Sequence, residues 1–155
     1  MSDNIIMFSS NNEQVISLWQ EAFGDSREDI EYFIHNCRHK SIIGYYIDDE
    51  LVSMLFFVDC TVLNEEYKYI YAACTKNKYR SHGFMSELLE YTKKLSKRIV
   101  LIPADYSLVK YYKDRGFKQN IAVDAVLFNE IDEIKEYLLE GCELDTPFAM
   151  CYIGD

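Results

Sequence analysis

Apolar residues follow two spacings along this chain, and the switches between them mark the elements. Residues 5–8 form a short apolar run, read as a first strand. Ser9, Ser10 and Asn11 are candidate N-caps for a helix that carries Val15, Ile16, Leu18, Trp19 and Phe23 on one face and stops at Gly24. Asp25 or Ser26 can cap a second helix with Ile30, Phe33 and Ile34 inward. Strand-type runs then follow. Residues 42–47 and 51–63 flank an acidic turn, Asp48-Asp49-Glu50, and read as a hairpin. The segment Met54-Leu55-Phe56-Phe57-Val58 is apolar on both faces, so its strand is expected at the centre of a sheet. Asn64-Glu65-Glu66 turns the chain into a fourth strand, rich in aromatic residues, that ends at Thr75. Strands two, three and four are expected to form an antiparallel meander.

Helical spacing returns from Phe84, with Met85, Leu88, Leu89, Thr92 and Leu95 on one stripe. Lys93, Lys94, Lys97 and Arg98 follow, cations suited to the negative end of a helix dipole. Residues 99–102 read as a buried strand. A strand reached through a helical crossover lies parallel to the one it left, so strands four and five should be parallel. Ser107 is the expected cap of the next helix, and Gly116 its stop. Residues 121–128 read as one strand, 131–139 as an amphipathic helix bearing Glu133 and Glu136 with Glu140 just beyond, and 148–153 as a last strand. The fold class is therefore mixed α/β, with a mostly antiparallel sheet and four to five helices. A chain of 155 residues without linker or repeat fits a single domain over 1–155.

The loop between strand four and its helix carries the candidate chemistry. Residues 76–82 are polar, and Gly83 sits where the loop enters the helix. Glycine there permits a ligand to approach the backbone, and the first turn of a helix presents unpaired N–H groups with partial positive charge. Arg80 adds a full charge. This combination suits a phosphate or pyrophosphate.

Arg80-Ser81-His82-Gly83-Phe84-Met85 resembles the signature [R/Q]-x-x-G-x-[G/A] of the GNAT acetyltransferase superfamily. Met85 stands where the signature has Gly or Ala; Ser81 replaces a common Gly and Asn77 a common Pro. Tyr112-Lys113-Asp114-Arg115-Gly116-Phe117 resembles the family's second signature, Y-x-x-x-G-F, in the right order and after the fifth strand. The resemblance implies a GNAT-like fold in which strands four and five splay apart and cradle the pantetheine of acetyl-CoA. It implies that the amides of Arg80, Ser81, His82, Gly83, Phe84 and Met85 hold the pyrophosphate. It also implies that the backbone of Ala73, Cys74 and Thr75 bonds the pantetheine as a strand partner would. The reaction implied is direct attack by a primary amine, from a small molecule or peptide, on the thioester. Tyr112 occupies the position of the family tyrosine that protonates the leaving thiolate. A phenol is neutral at pH 7 and can donate there. Tyr111 is assigned to the core. The paired helices after the first strand fall where the family lines its acceptor cleft. For the base, Asp59, Glu65, Glu66, Tyr69 and Asp105 all qualify by coarse position. A second reading stays open: a non-catalytic or regulatory GNAT-fold module that binds CoA or a protein partner. A third is an unrelated α/β protein whose loop binds another phosphate.

Composition narrows the partners. The net charge is −10, which disfavours nucleic acid and is compatible with a cationic acceptor such as an amine or polyamine. No run approaches the ~20 apolar residues of a membrane span, and the segment MSDNIIMF lacks a signal-peptide pattern. Five cysteines without a C-x-x-C pair fit reduced thiols and a cytoplasmic location. His35, Cys37 and His39 invite a metal, but no further ligands follow at convincing spacing, so no metal is expected. Cys74 has no Cys–His context that would make it a nucleophile. A monomer or homodimer is expected.

Overall fold

The computed structural model describes residues 5–6 and 12–155. The proposed caps Ser9, Ser10 and Asn11 lie outside them. One mixed sheet runs through the molecule in the order β1-β2-β3-β4-β5-β8-β6, with β7 beside β3. Its strands are β1 (Ile5–Ile6), β2 (Lys40–Ile47), β3 (Glu50–Val62), β4 (Glu65–Thr75), β5 (Arg98–Leu101), β6 (Gln119–Ala122), β7 (Val126–Phe128) and β8 (Phe148–Ile153). The helices are α1 (Asn12–Phe23), α2 (Arg27–Asn36), α3 (Phe84–Leu95), α4 (Tyr106–Asp114) and α5 (Asp132–Leu139).

The meander is built by two tight turns. Asp48 and Asp49 both have positive φ, at 48° and 68°, and so do Leu63 and Asn64, at 50° and 67°. Two successive left-handed residues make the turn whose twist matches a hairpin. β3 is buried on both faces through Val58, as its apolar run requires. One core cluster gathers Trp19, Phe33, Phe56 and Tyr69 under α1, α2 and α5. The other gathers Phe57, Leu88, Leu89, Tyr112 and Phe117 under α3 and α4.

Two local expectations change and one open choice is settled. Residues 121–128 are two short strands, β6 and β7, separated by a 3-10 turn at Val123–Ala125, because β6 pairs with β8 and β7 with β3. Asp105, not Ser107, caps α4: its carboxylate accepts from the Leu108 amide at 3.1 Å and from the Ser107 hydroxyl at 2.6 Å. Those two donors, the Ser107 hydroxyl first, hold the Asp105 carboxyl below the usual range. Of the two possible caps for α2, Ser26 is the one used.

β4 and β5 are parallel, as the crossover requires, but among the described residues they pair only at Lys68–Ile99 and Tyr69–Val100. Beyond Tyr69 the two strands part. A bulge adds to this. The β3–β4 register slips between Met54–Cys74 and Phe56–Tyr71, and Ala72 takes a φ of 54°. Ala72 and Ala73 thus have no partner residue on β3.

Candidate active site

The opening between β4 and β5 becomes a cavity of about 540 Å³. It is lined by residues 69–73 of β4, by Leu101, Ile102 and Ala104 at the end of β5 and beyond, and by Leu108 and Tyr112 of α4. α1 closes one side with Trp19 and Phe23, and the coil after α5 closes another with Glu140, Cys142 and Glu143. Two bonds hold that coil in place. The Tyr69 hydroxyl donates to the Leu138 carbonyl at 2.5 Å, and the Glu143 amide donates to the Ala104 carbonyl at 2.7 Å.

The C-terminal end of β4 is anchored from below. The fully buried Ser53 hydroxyl donates to the Cys74 carbonyl at 3.1 Å and lies 2.8 Å from Thr75 Oγ1. Cys74 and Thr75 are thus paired with β3 and do not line the cavity, whereas Ala73, without a partner on β3, does. Burial pushes the Cys74 thiol far above its ordinary value, and the nearby Glu21 charge adds to this against Arg80. The thiol therefore stays protonated at neutral pH and is a poor nucleophile.

The loop after β4 is exposed from Arg80 through Gly83. Its geometry is set by two left-handed residues, Ser81 at φ 67° and Gly83 at φ 82°. Gly83 is the N-cap of α3, offers no side-chain cap, and its carbonyl accepts from Glu87 at 3.0 Å. The Arg80 amide, expected to face the pyrophosphate, instead donates to the Asn77 carbonyl at 3.3 Å, and among the described residues the amides from Ser81 to Ser86 have no backbone partner. A Cβ placed on Gly83 would meet no atom within 4 Å, so the space in front of these amides is open. The Arg80 Nε donates to the Thr75 carbonyl at 3.4 Å, which keeps its charge beside the loop. His82 stacks on Phe84, with ring centroids 5.8 Å apart. Phe84 and Met85 turn their side chains into the core, Phe84 against Tyr45 at 4.6 Å. What they can offer a ligand is backbone.

Tyr112 is 7% exposed and packs against Phe117 at 5.9 Å. Its hydroxyl has no hydrogen-bond partner among the described residues, yet no buried polar side-chain atom there lacks one, so the oxygen opens onto the cavity. Burial pushes its pKa up, and the phenol stays protonated across the working range. Tyr111 packs against the core cluster, as expected, but at its margin. It is half-buried, with the Arg115 guanidinium 3.6 Å above its ring and Ser86 Oγ 3.4 Å from its hydroxyl.

The five residues considered for a base do not converge. Asp59 pairs with Lys68 on the surface, Glu65 lies 3.6 Å from Arg98, and Glu66 is exposed at the start of β4. Asp105 is engaged as a cap, and the Tyr69 hydroxyl is given to Leu138. The cavity carries instead Asp25, Tyr71, Glu140 and Glu143, none of which a sequence motif marks. Trp19 fixes Asp25 by an indole N–H bond of 2.8 Å. The Tyr71 phenol is pushed up first by burial, then by the negative charges of Glu140 and Asp25.

His35, Cys37 and His39 fall outside this region. His39 Nδ1 lies 3.1 Å from the fully buried carboxylate of Glu130, which also accepts from the Arg38 and His39 amides. Glu130 thus fastens the end of α2. Among the described residues, no three His, Cys, Asp or Glu side chains stand together as a metal site. No helix there is long and apolar enough to cross a membrane.

Residues 7–119 match the family model described as an acetyltransferase (GNAT) domain. No curated protein matches the chain. Among solved structures, it is similar to the Corynebacterium glutamicum protein titled histone acetyltransferase HPA2 and related acetyltransferase. The two are 14% identical with a TM-score of 0.73, over 100% of this chain and 98% of that one. It is similar to a GNAT family acetyltransferase from Elizabethkingia anophelis, solved with acetyl-CoA bound. There the identity is 15% and the TM-score 0.62, over 97% and 99% of the two chains. A probable N-acyltransferase from Enterococcus faecalis V583 is 21% identical, with a TM-score of 0.55, over 70% of this chain. The match spans only 31% of that longer protein.

Proposed function

Because the chain belongs to the GNAT acetyltransferase family, we propose that it moves an acetyl group from acetyl-CoA to a primary amine by direct attack on the thioester. The observation that carries this reading is the parting of β4 from β5 beyond Tyr69–Val100, in front of a loop of unpaired amides. Acyl transfer needs a cofactor held in extended form, a polarised carbonyl, a neutral amine and an acid for the leaving sulfur.

The residues of this chain fit those needs. The free edge of Ala73, Cys74 and Thr75 offers a strand's donors and acceptors to the pantetheine amides, for which small side chains suffice. The amides of Ser81, His82, Gly83, Phe84 and Met85, with the Arg80 charge beside them, offer a cradle for pyrophosphate. The bulge at Ala72 leaves backbone along the cavity without a partner on β3, and a freed N–H there can polarise the thioester carbonyl. The amine nitrogen forms the new C–N bond as the C–S bond breaks. One proton leaves the nitrogen, and one is needed on the sulfur. Tyr112 is the proposed acid. Its phenol is protonated, opens onto the cavity, and is committed to no other acceptor among the described residues.

The test is a screen of amine acceptors with acetyl-CoA, following release of free thiol and confirming the amide product by mass. Amine-dependent thiol release supports the reading. A folded protein that binds CoA but releases no thiol with any amine would leave a binding module in its place.

A further inference from the structure

The cavity wall is charged with one sign. Its lining residues include Asp25, Glu140 and Glu143 and no lysine, arginine or histidine. Glu140 and Glu143 have no side-chain hydrogen bond or ion pair among the described residues, and Asp25 accepts only from the neutral indole of Trp19. Matched pairs occur elsewhere, Glu13 with Arg27, Glu50 with Lys76 and Asp114 with Lys110, whereas these three carboxylates line one cavity with no cationic side chain in its lining. Tyr71 lines the same cavity and feels the charges of Glu140 and Asp25. Aromatic faces adjoin them, since Trp19 and Tyr71 lie with centroids 5.7 Å apart and Phe23 is partly exposed beside Trp19. Independently of these carboxylates, Tyr112, a residue more than nine-tenths buried, lines the same cavity, and its hydroxyl lacks a protein partner among the described residues. The cavity thus combines a free donor at Tyr112, which the acyl-transfer reading gives to the cofactor sulfur, with carboxylates that attract positive charge.

We infer that the acceptor is an alkyl di- or polyamine, one ammonium group of which is held by Asp25, Glu140 and Glu143 while a second nitrogen, as free base, is acylated deeper in the cavity. The inference rests on the acyl-transfer reading for its chemistry but on the cavity alone for its binding. A single amine has only one nitrogen, and attack requires that nitrogen neutral, so it cannot also supply the charge these carboxylates attract. A second, permanently protonated nitrogen can. The alkyl stem between them suits the Trp19, Phe23 and Tyr71 faces, which also favour an adjacent cation. An acceptor with a carboxylate would meet three like charges. The volume of 540 Å³ accommodates such a stem together with a thioester.

The experiment compares 1,5-diaminopentane, pentylamine and 5-aminopentanoate, first by calorimetric binding without acetyl-CoA and then as acceptors. The diamine should bind at least about tenfold more tightly than pentylamine, and the aminopentanoate more weakly than either. In the double variant Glu140→Gln/Glu143→Gln the diamine and pentylamine should converge. Both glutamates are exposed, and retained CoA binding serves as the folding control. Equal affinities for diamine and pentylamine in the parent protein overturn the inference, as does binding of none of the three. If the binding preference holds but no amine is acylated, the charge-selective site stands and acyl transfer falls. If pentylamine is acylated as well as the diamine, acyl transfer stands and the inference falls.

Discussion

Replacing Tyr112 by phenylalanine removes one oxygen atom, and its surroundings fix what that atom is worth. The ring keeps its contacts with Tyr111 at 5.3 Å and Phe117 at 5.9 Å. No protein hydrogen bond among the described residues is lost, because the hydroxyl has none. The unliganded variant should therefore melt within about 0.5 kcal/mol of the parent. Tyr69→Phe is the internal contrast. That hydroxyl donates to the Leu138 carbonyl at 2.5 Å in a buried setting, and its loss strands the acceptor at a cost of about 1–3 kcal/mol. Each kcal/mol is roughly 2–4 °C in melting temperature for a chain of this size. Turnover should separate the pair in the opposite direction. Tyr112→Phe should keep its CoA affinity and lose about 10²-fold in kcat, or ~2.7 kcal/mol of transition-state stabilisation, the low end for a general acid. The assay is single-turnover thiol release, with CoA titrated calorimetrically and melting followed on both variants. A Tyr112→Phe enzyme with parental single-turnover rate refutes the acid role, and one that melts several degrees lower refutes the reading of a free hydroxyl.

Arg80→Glu reverses a charge on an exposed loop, so folding should be unaffected while CoA affinity falls at least about tenfold in calorimetry; unchanged affinity removes Arg80 from the anion site. Gly83→Val meets no neighbour, so its cost to the unliganded fold is the left-handed φ alone, about 1–2 kcal/mol, whereas CoA affinity should fall further. A lowered melting point with normal CoA binding would make Gly83 a turn residue only. Leu63→Asn should raise stability by about 1 kcal/mol, since Leu63 is 76% exposed with a φ of 50°, and an unchanged or lower melting point counts against strain in that turn. Burial pushes the Cys37 and Cys60 thiols up to about 12 and Cys151 up to about 11, from an ordinary value near 9. Raised thiols stabilise the fold below the unfolded value and lose that contribution as pH climbs through the folded ones. Urea midpoints should thus fall progressively above pH 9, and a flat profile to pH 10.5 contradicts the burial of these thiols.

What the sequence makes legible here is what local chemistry encodes. Asp48-Asp49 between two strand-type runs announces the first hairpin, and the apolar run from Met54 to Val58 announces a central strand. The helix entered at Gly83 forces β4 and β5 to be parallel. The missed features depend on partners distant in sequence. Nothing local tells that β6 will leave for β8 while β7 joins β3, which divides an apparently continuous strand. The bulge at Ala72 reads as ordinary strand, because alanine disfavours the left-handed φ of 54° that it takes there and so gives no local signal of it. Both Asp105 and Ser107 are good caps, and the choice falls to the carboxylate that reaches Leu108. Tyr111 and Tyr112 differ by 100° around α4, but which face meets the cavity depends on how α4 docks on the sheet. The acidic lining is least visible of all. Asp25 follows α1, and Glu140 and Glu143 come from coil beyond α5, brought in by the Tyr69–Leu138 and Glu143–Ala104 bonds. Its traces in sequence are the net charge of −10 and the family expectation that the paired N-terminal helices line the acceptor cleft.

The central claim is that acetyl-CoA lies along the free edge of β4 with its sulfur at Tyr112. A crystal structure of the protein with CoA tests it most directly. The expected complex has the pantetheine amides bonded to the backbone of Ala73, Cys74 and Thr75. The pyrophosphate lies against the amides from Ser81 to Met85, and the sulfur is within hydrogen-bond reach of the Tyr112 hydroxyl. Pantetheine bound away from β4, or a sulfur that Tyr112 cannot reach, would contradict it.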